Sequence, residues 1–417
     1  MNKTLNYFNP SLLLSLIFAN YFFYFFLDTK YFFICFASII LLTFFLILYQ
    51  NLKFNFYIVL IILTLAIVSL GSPVADWDGR SIWLFNAKRI FYNENLSEYT
   101  NYLGSEFSHL DYPILIQTLS ASLATIIGKW NEVFPKFSNI IFALPALIVI
   151  SKNTNNRLNK LILIILILFI YEKTLINGDM DALLGLYTIS CAVLLIDFSR
   201  RNKVDLNDYF LIFLHFSALP MIKVEGIAIL FCLSISYFLT FYDYKKKINN
   251  NLILIFLLSL IPVLTWKFFI NSQNIISSSH LMISGGDRLF ENLLDFKFLL
   301  ILIKHIILNK QMFISLVIFL IVLSKYISID KENLNTEINK KFFKKEILFI
   351  IASIFFYSSF LLLIFIMSEG SPNNAPEIKY FMAISSSDRL FLPVHSLLII
   401  CSIYLNQELN LTGKKNK

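Results

Sequence analysis

Apolar runs of about 16 to 22 residues follow one another along most of this chain, separated by short polar or basic stretches. The runs are continuous. They lack the period-two alternation that a membrane barrel strand shows, so they predict helices, many of them long enough to cross a bilayer. The spans fall near 10–28, 31–49, 54–71, 133–150, 160–175, 179–198, 208–221, 226–241, 252–270, 311–328, 347–368 and 388–406. The expected fold class is all-α, a polytopic integral membrane protein of about 12 transmembrane helices with short re-entrant or juxtamembrane helices.

The polar punctuation carries a topology. Basic residues collect at Lys152, Arg157 and Lys160, at Arg200, Arg201 and Lys203, at Lys245 to Lys247, through the 325–346 loop, and in the tail at Lys414, Lys415 and Lys417. Cytoplasmic loops are enriched in Lys and Arg. Twelve crossings with both termini inside bring every one of these stretches to the cytoplasmic side. Residues 72–132, 176–178, 222–225, 271–310 and 369–387 then face outward. That parity requires the Pro113–Gly128 segment not to cross fully, as a short, re-entrant or surface helix, and makes Phe296–Asn309 a peripheral helix. No repeat or linker divides the chain, so a single domain over 1–417 is expected, with its first large external loop at 72–112. The first apolar run has no small-residue cleavage site after it and is expected to be a retained helix.

Composition agrees. The chain of 417 residues is 57% hydrophobic and 15% charged, against about 25% charged in soluble domains. The net charge of +8 belongs to the cytoplasmic loops and does not call for a nucleic-acid partner. Cys35, Cys191, Cys232 and Cys401 lie inside apolar runs without metal-ligand spacing, as small core or lipid-facing residues do.

Acids near membrane boundaries gather on the outer side of this map. "SPVADWDGRSIWLFNAKRIF" holds Asp76 and Asp78; His109, Asp111 and Tyr112 follow; "NGDMDALLGLY" holds Asp179 and Asp181; "LPMIKVEG" holds Lys223 and Glu225; "SSSDRLFLP" holds Asp388 and Arg389. Ionisable groups at membrane depth cost about 2.5–3.5 kcal/mol each on insertion scales, so they pair or face a cavity. Each cluster also has a plain structural reading. Asp179 and Asp181 suit a helix N-terminus, Lys223 and Glu225 an ion pair between helices, Arg389 a snorkelling anchor, and Trp77 and Trp83 the interface. Their joint occurrence on one face is what points to a site.

In order and spacing these motifs resemble the signatures of the bacterial C-type glycosyltransferases (the GT-C superfamily), which includes relatives of protein O-mannosyltransferases and the aminoarabinose transferase of lipid A. The resemblance runs from Asp76 to Pro393, although two spans precede Asp76 besides the one before its loop, where the family's acidic loop follows the first helix. It implies a sugar donor on a polyprenyl phosphate, delivered from the bilayer to the outer face of a bacterial plasma membrane. It implies Asp78 as the catalytic carboxylate, with Asp76 beside it, and Asp179, Lys223, Glu225 and Arg389 about the donor phosphate and sugar, where His109 and Tyr112 join them as candidates. The chemistry is coherent on its own terms. A carboxylate can take the acceptor's proton, a cation can stabilise the departing phosphate, and the Arg fork matches phosphate geometry. Asp76 and Asp78 are also spaced as oxygen ligands for a divalent cation, but no obligatory metal is expected. The competing classes are a secondary transporter and a lipid-linked polysaccharide polymerase or ligase. The acceptor, whether lipid, glycan or protein, stays open.

Overall fold

The structure is a computed structural model and describes residues 8–27, 29–74, 76–93, 96, 109–154, 156–171, 173–201, 204–241, 250–275, 294–330, 337–367 and 389–414. Among these residues every regular element is helical. The helices are α1 (Phe8–Phe23), α2 (Lys30–Phe54), α3 (Phe56–Gly71), α4 (Leu84–Asn93), α5 (Leu115–Ile127), α6 (Ser138–Ser151), α7 (Arg157–Ile165), α8 (Asp181–Arg200), α9 (Leu206–Ile222), α10 (Glu225–Phe241), α11 (Asn250–Leu258), α12 (Ile261–Ser272), α13 (Phe296–Leu308), α14 (Lys310–Asp330), α15 (Glu337–Met367) and α16 (Leu392–Lys414). Among the described residues, five stretches are long and apolar enough to cross a membrane: Lys30–Lys53, Asp181–Arg200, Asn251–Ser272, Lys310–Ile327 and Lys345–Ile366. Seven further apolar helices are shorter, at 10–17 residues. The described residues are all-helical in their regular structure, with membrane-spanning character.

The chain divides into two compact units. The first comprises Met1–Lys152, Lys173–Leu230 and Ile248–Ser278. Its interior is built on α5, α6 and α8. Every residue of α6 is buried, and so is α8 from Asp181 to Ile196. Lipid tails are as apolar as Leu, so close packing rather than water exclusion holds such helices together. Small residues allow it: Ala143 and Ala146 on α6 and Ala182, Gly185 and Ala192 on α8. Tyr187 closes the contact, stacking on Phe142 at 4.6 Å and donating its hydroxyl to the Phe142 carbonyl at 2.9 Å. Buried hydroxyls and amides add cross-ties, including Ser122 to Asn20 at 2.8 Å and Ser120 with Ser138 at 2.7 Å.

The expected short helix at Pro113–Gly128 is α5, 13 residues long and closed by Gly128 at φ +74. At about 1.5 Å per residue it is too short for a bilayer core. It is not a surface helix, however, because Leu115 to Thr125 are all buried. The helices α2 and α3 expose large apolar side chains such as Phe45, Leu60 and Ile67, a face suited to lipid.

The second unit comprises Asn153–Glu172, Phe231–Lys247 and Ser279–Lys417. In it α16 packs against α7, α14 and α15. Polar ties fix the register: Asn406 donates to Asn159 at 2.6 Å, Gln407 to the Asn153 carbonyl at 2.6 Å, and Tyr171 shares a hydrogen bond with Ser396 at 2.7 Å. The expected 160–175 span begins earlier, as α7 at Arg157, and ends in a π-helical turn, Leu166–Ile170. The expected 325–346 loop is largely helical, since α14 runs to Asp330 and α15 starts at Glu337. Lys and Glu are good helix formers, so these helices continue past their apolar stretches.

Candidate functional site

The acidic residues of the first unit sit where four chain segments meet. The first segment leaves α3 at Gly71, passes Asp76 and Asp78, and enters a π-helical turn, Gly79–Trp83, that leads into α4. The second leads into α8 through Gly178 and Asp179. The two touch backbone to backbone: a Cβ on Gly79 would stand 2.6 Å from the Asn177 carbonyl oxygen, so only glycine fits there. Gly178 takes φ +86, a left-handed conformation that favours glycine and turns the chain into Asp179. Ser69 on α3 ties the segments further by donating to the Ile176 carbonyl at 3.3 Å.

The third segment is the α9–α10 corner. Lys223 is extended, at φ -157 and ψ 153, and ends α9. Its Nζ lies 2.7 Å from Asp181 Oδ1 and 3.7 Å from Glu225 Oε1. The Lys223 and Asp181 side chains are only 8% and 1% exposed. Glu225 and Asp181 each occupy the first turn of a helix, where the dipole favours an anion. The corner is as tight as it is because residue 226 is glycine: a Cβ there would meet the Leu219 carbonyl oxygen at 1.9 Å.

The fourth segment is the turn before α5. His109 adopts φ 48 and its carbonyl accepts from Tyr112 N at 3.0 Å. Tyr112 is stacked between two rings, with centroids 5.3 Å from Trp83 and 4.9 Å from His109. Trp266 on α12 pins the turn by donating its indole N–H to the Asp111 carbonyl at 3.0 Å.

Burial sets the electrostatics. Asp179 is fully buried. Its Oδ1 accepts from Met180 N at 2.6 Å, its carbonyl accepts from Asn139 Nδ2 at 2.9 Å, and its Oδ2 has no hydrogen-bond partner. Burial pushes the Asp179 carboxyl well above the ordinary range. Asp181, Asp78 and Asp76 push it the same way, and Lys223 opposes them. For Lys223, burial pulls the ammonium down, but Asp181, Glu225, Tyr112 and Asp179 outweigh it and hold the lysine charged. Burial raises the Tyr112 phenol, and Glu225 adds to the rise. The result is a buried acid whose carboxyl is pushed up, a lysine held between two carboxylates, and two half-buried acids, Asp76 and Asp78.

Four of the five sequence clusters therefore meet in one place: Asp76 with Asp78, His109 with Tyr112, Asp179 with Asp181, and Lys223 with Glu225. Arg389 belongs to the second unit, just before α16, and is half-buried. Asp388 and Ser385 to Ser387 lie outside the described residues. Trp83, expected at the interface or free to stack on a sugar, is instead 1% exposed and packed on Tyr112. Trp77 is 72% exposed. Among the described residues no group of three or more His, Cys, Asp or Glu is placed to hold a metal ion. Sequence reasoning missed Lys136 and Asn139, which lie beneath the acidic segments. The only signal for them was two polar residues, three apart, at the head of an apolar run. No known protein family, curated protein or solved structure matches the chain.

Proposed function

We propose that this protein is a membrane glycosyltransferase of the C type, moving a sugar from a polyprenyl-phosphate donor to an acceptor at the outer face of a bacterial plasma membrane. The observation that carries the reading is the convergence of Asp76, Asp78, Asp179, Asp181, Lys223 and Glu225 from segments far apart in sequence, at the ends of apolar helices. A donor that rides in the bilayer presents its sugar at that depth. Asp78 is the half-buried carboxylate that takes the acceptor's hydroxyl proton. The hydroxyl oxygen bonds to the anomeric carbon, and the bond from that carbon to the phosphate oxygen breaks, with its electron pair leaving on the lipid phosphate. That leaving group needs neighbouring positive charge rather than a proton, the role assigned to Lys223. Asp179, its carboxyl pushed up by burial, offers a hydrogen bond when it carries its proton, and Trp77 an exposed ring for the sugar face. The reaction needs no metal. Twelve crossings with both termini in the cytoplasm set this face outside.

Asp78→Asn removes the base while keeping the shape. Transfer of labelled sugar from polyprenyl-phosphate donors should fall by about 10²–10⁴-fold with insertion unchanged. Wild-type rates in Asp78→Asn together with a loss in Asp76→Asn would reassign the base, and wild-type rates in both would end the proposal for this segment.

One observation favours a second reading. A buried Lys–Asp pair beside a proton-holding carboxyl is also the make-up of a proton relay in a secondary transporter. The two part in sealed vesicles: a transporter moves its substrate down an imposed pH gradient without altering it, whereas the transferase leaves a glycosylated product and no proton flux.

A further inference from the structure

Lys136 lies outside every motif that the transferase reading uses. It sits in the single helical turn Pro135–Phe137 that opens α6, and none of its surface is exposed. Its ammonium donates to both the carbonyl and the hydroxyl of Ser72. Ser72 caps the C-terminus of α3 and begins the acidic segment. A cation is favoured at that end of a helix, where carbonyls lack intrahelical partners and the dipole is negative. The other end of the same side chain reaches the second acidic segment: a Cβ on Gly178 would stand 3.7 Å from Lys136 Cβ. One turn on, Asn139 holds the Asp179 carbonyl at 2.9 Å.

We propose that Lys136 is a positioning residue that locks the segment bearing Asp76 and Asp78 to the segment bearing Asp179, fixing the separation of their carboxyl groups. The two segments also meet at the Gly79–Asn177 backbone contact and through the Ser69 hydrogen bond. Those contacts lie before Ser72 and after Asp78, and Lys136 grips the chain between them at its origin. The ammonium's partners are neutral oxygens, so it ties the acids in place without cancelling their charge. The proposal rests on the transferase reading for its consequence, but not for its geometry.

The test therefore has two arms. Spin labels at Arg80→Cys and Lys173→Cys, both exposed positions, report the distance between the segments in the full chain with Cys35→Ala. In Lys136→Met the distance distribution should broaden by about twofold or more as the acidic segment loosens locally. Lys136→Arg, which keeps the donors and the charge, should restore the wild-type width. An unchanged width in Lys136→Met, or an equal broadening in Lys136→Arg, overturns the proposal. If Lys136→Met does not insert, Lys136→Gln, polar but too short to reach Ser72, is read in the same way. In the second arm, kcat for sugar transfer in Lys136→Met should fall about 10- to 100-fold with donor KM little changed. A fall confined to thermal stability, with kcat intact, overturns the positioning role. Absence of transfer by the wild-type chain counts against the transferase reading alone, and the distance arm still decides this one.

Discussion

Asp179 and Lys223 are the residues on which the site's electrostatics turn, and each carries a test. Burial raises the Asp179 carboxyl, so the folded chain holds this proton more tightly than the unfolded chain does. Stability from this group is therefore greatest at low pH and is lost as pH rises from the unfolded carboxyl value, about 3.9, towards the raised folded value. Asp179→Asn is neutral at every pH and keeps an oxygen for Met180 N. Its thermal midpoint relative to wild type should rise as pH climbs above about 3.9, and a difference independent of pH would contradict a carboxyl that burial pushes up. Lys223 tests the pair. Lys223→Met leaves Asp181 buried without its counter-charge and should cost about 3–5 kcal/mol, much of it recovered in the double variant with Asp181→Asn. Unfolding in detergent micelles measures both, and simple additivity would show that the 2.7 Å contact contributes nothing. The sequence announced both residues through their motifs. It could not announce Lys136, because a lysine heading an apolar run reads as an interface residue until its partner Ser72 is known.

Helices were legible wherever apolar residues ran long enough, and their ends were not. The α9–α10 corner shows why. "IKVEG" reads as a polar break between two runs, but the reason for its glycine is a tertiary one: the N-terminus of α10 approaches the Leu219 carbonyl so closely that a Cβ would overlap it. Gly226→Ala should force the two helices apart, with a cost of about 1–3 kcal/mol or more from overpacking, and should carry Glu225 away from Lys223. Its transfer rate should fall further than its thermal stability alone explains, and wild-type transfer in this variant would show that the corner's geometry is not used. The π-helical turns at Gly79–Trp83 and Leu166–Ile170 likewise had no signal in the apolar pattern, because an extra residue in a turn leaves hydrophobicity unchanged. The burial of α5 was hidden too: Gln117, Ser120, Ser122 and Thr125 give it a polar look, and their buried settings appear only with partners such as Asn20 and Ser138.

The first unit joins the exposed apolar side chains of α2 and α3 to an acidic cluster at helix ends, and topology links the two. Cysteines introduced at exposed Trp77 and exposed Leu206 fall on opposite sides of the proposed twelve-crossing map. An impermeant thiol reagent on intact cells should label position 77 and not position 206, and the reverse pattern would invert the map and move the acids to the cytoplasm. The donor is the claim from which the rest follows, and it can be looked for directly. Mass spectrometry of lipids retained by the protein after purification from its own membrane should find a polyprenyl phosphate bearing one sugar. That lipid should be depleted in Lys223→Met protein that still inserts. Purified protein carrying only bulk phospholipid, or a polyprenyl lipid retained equally by the variant, would contradict the account.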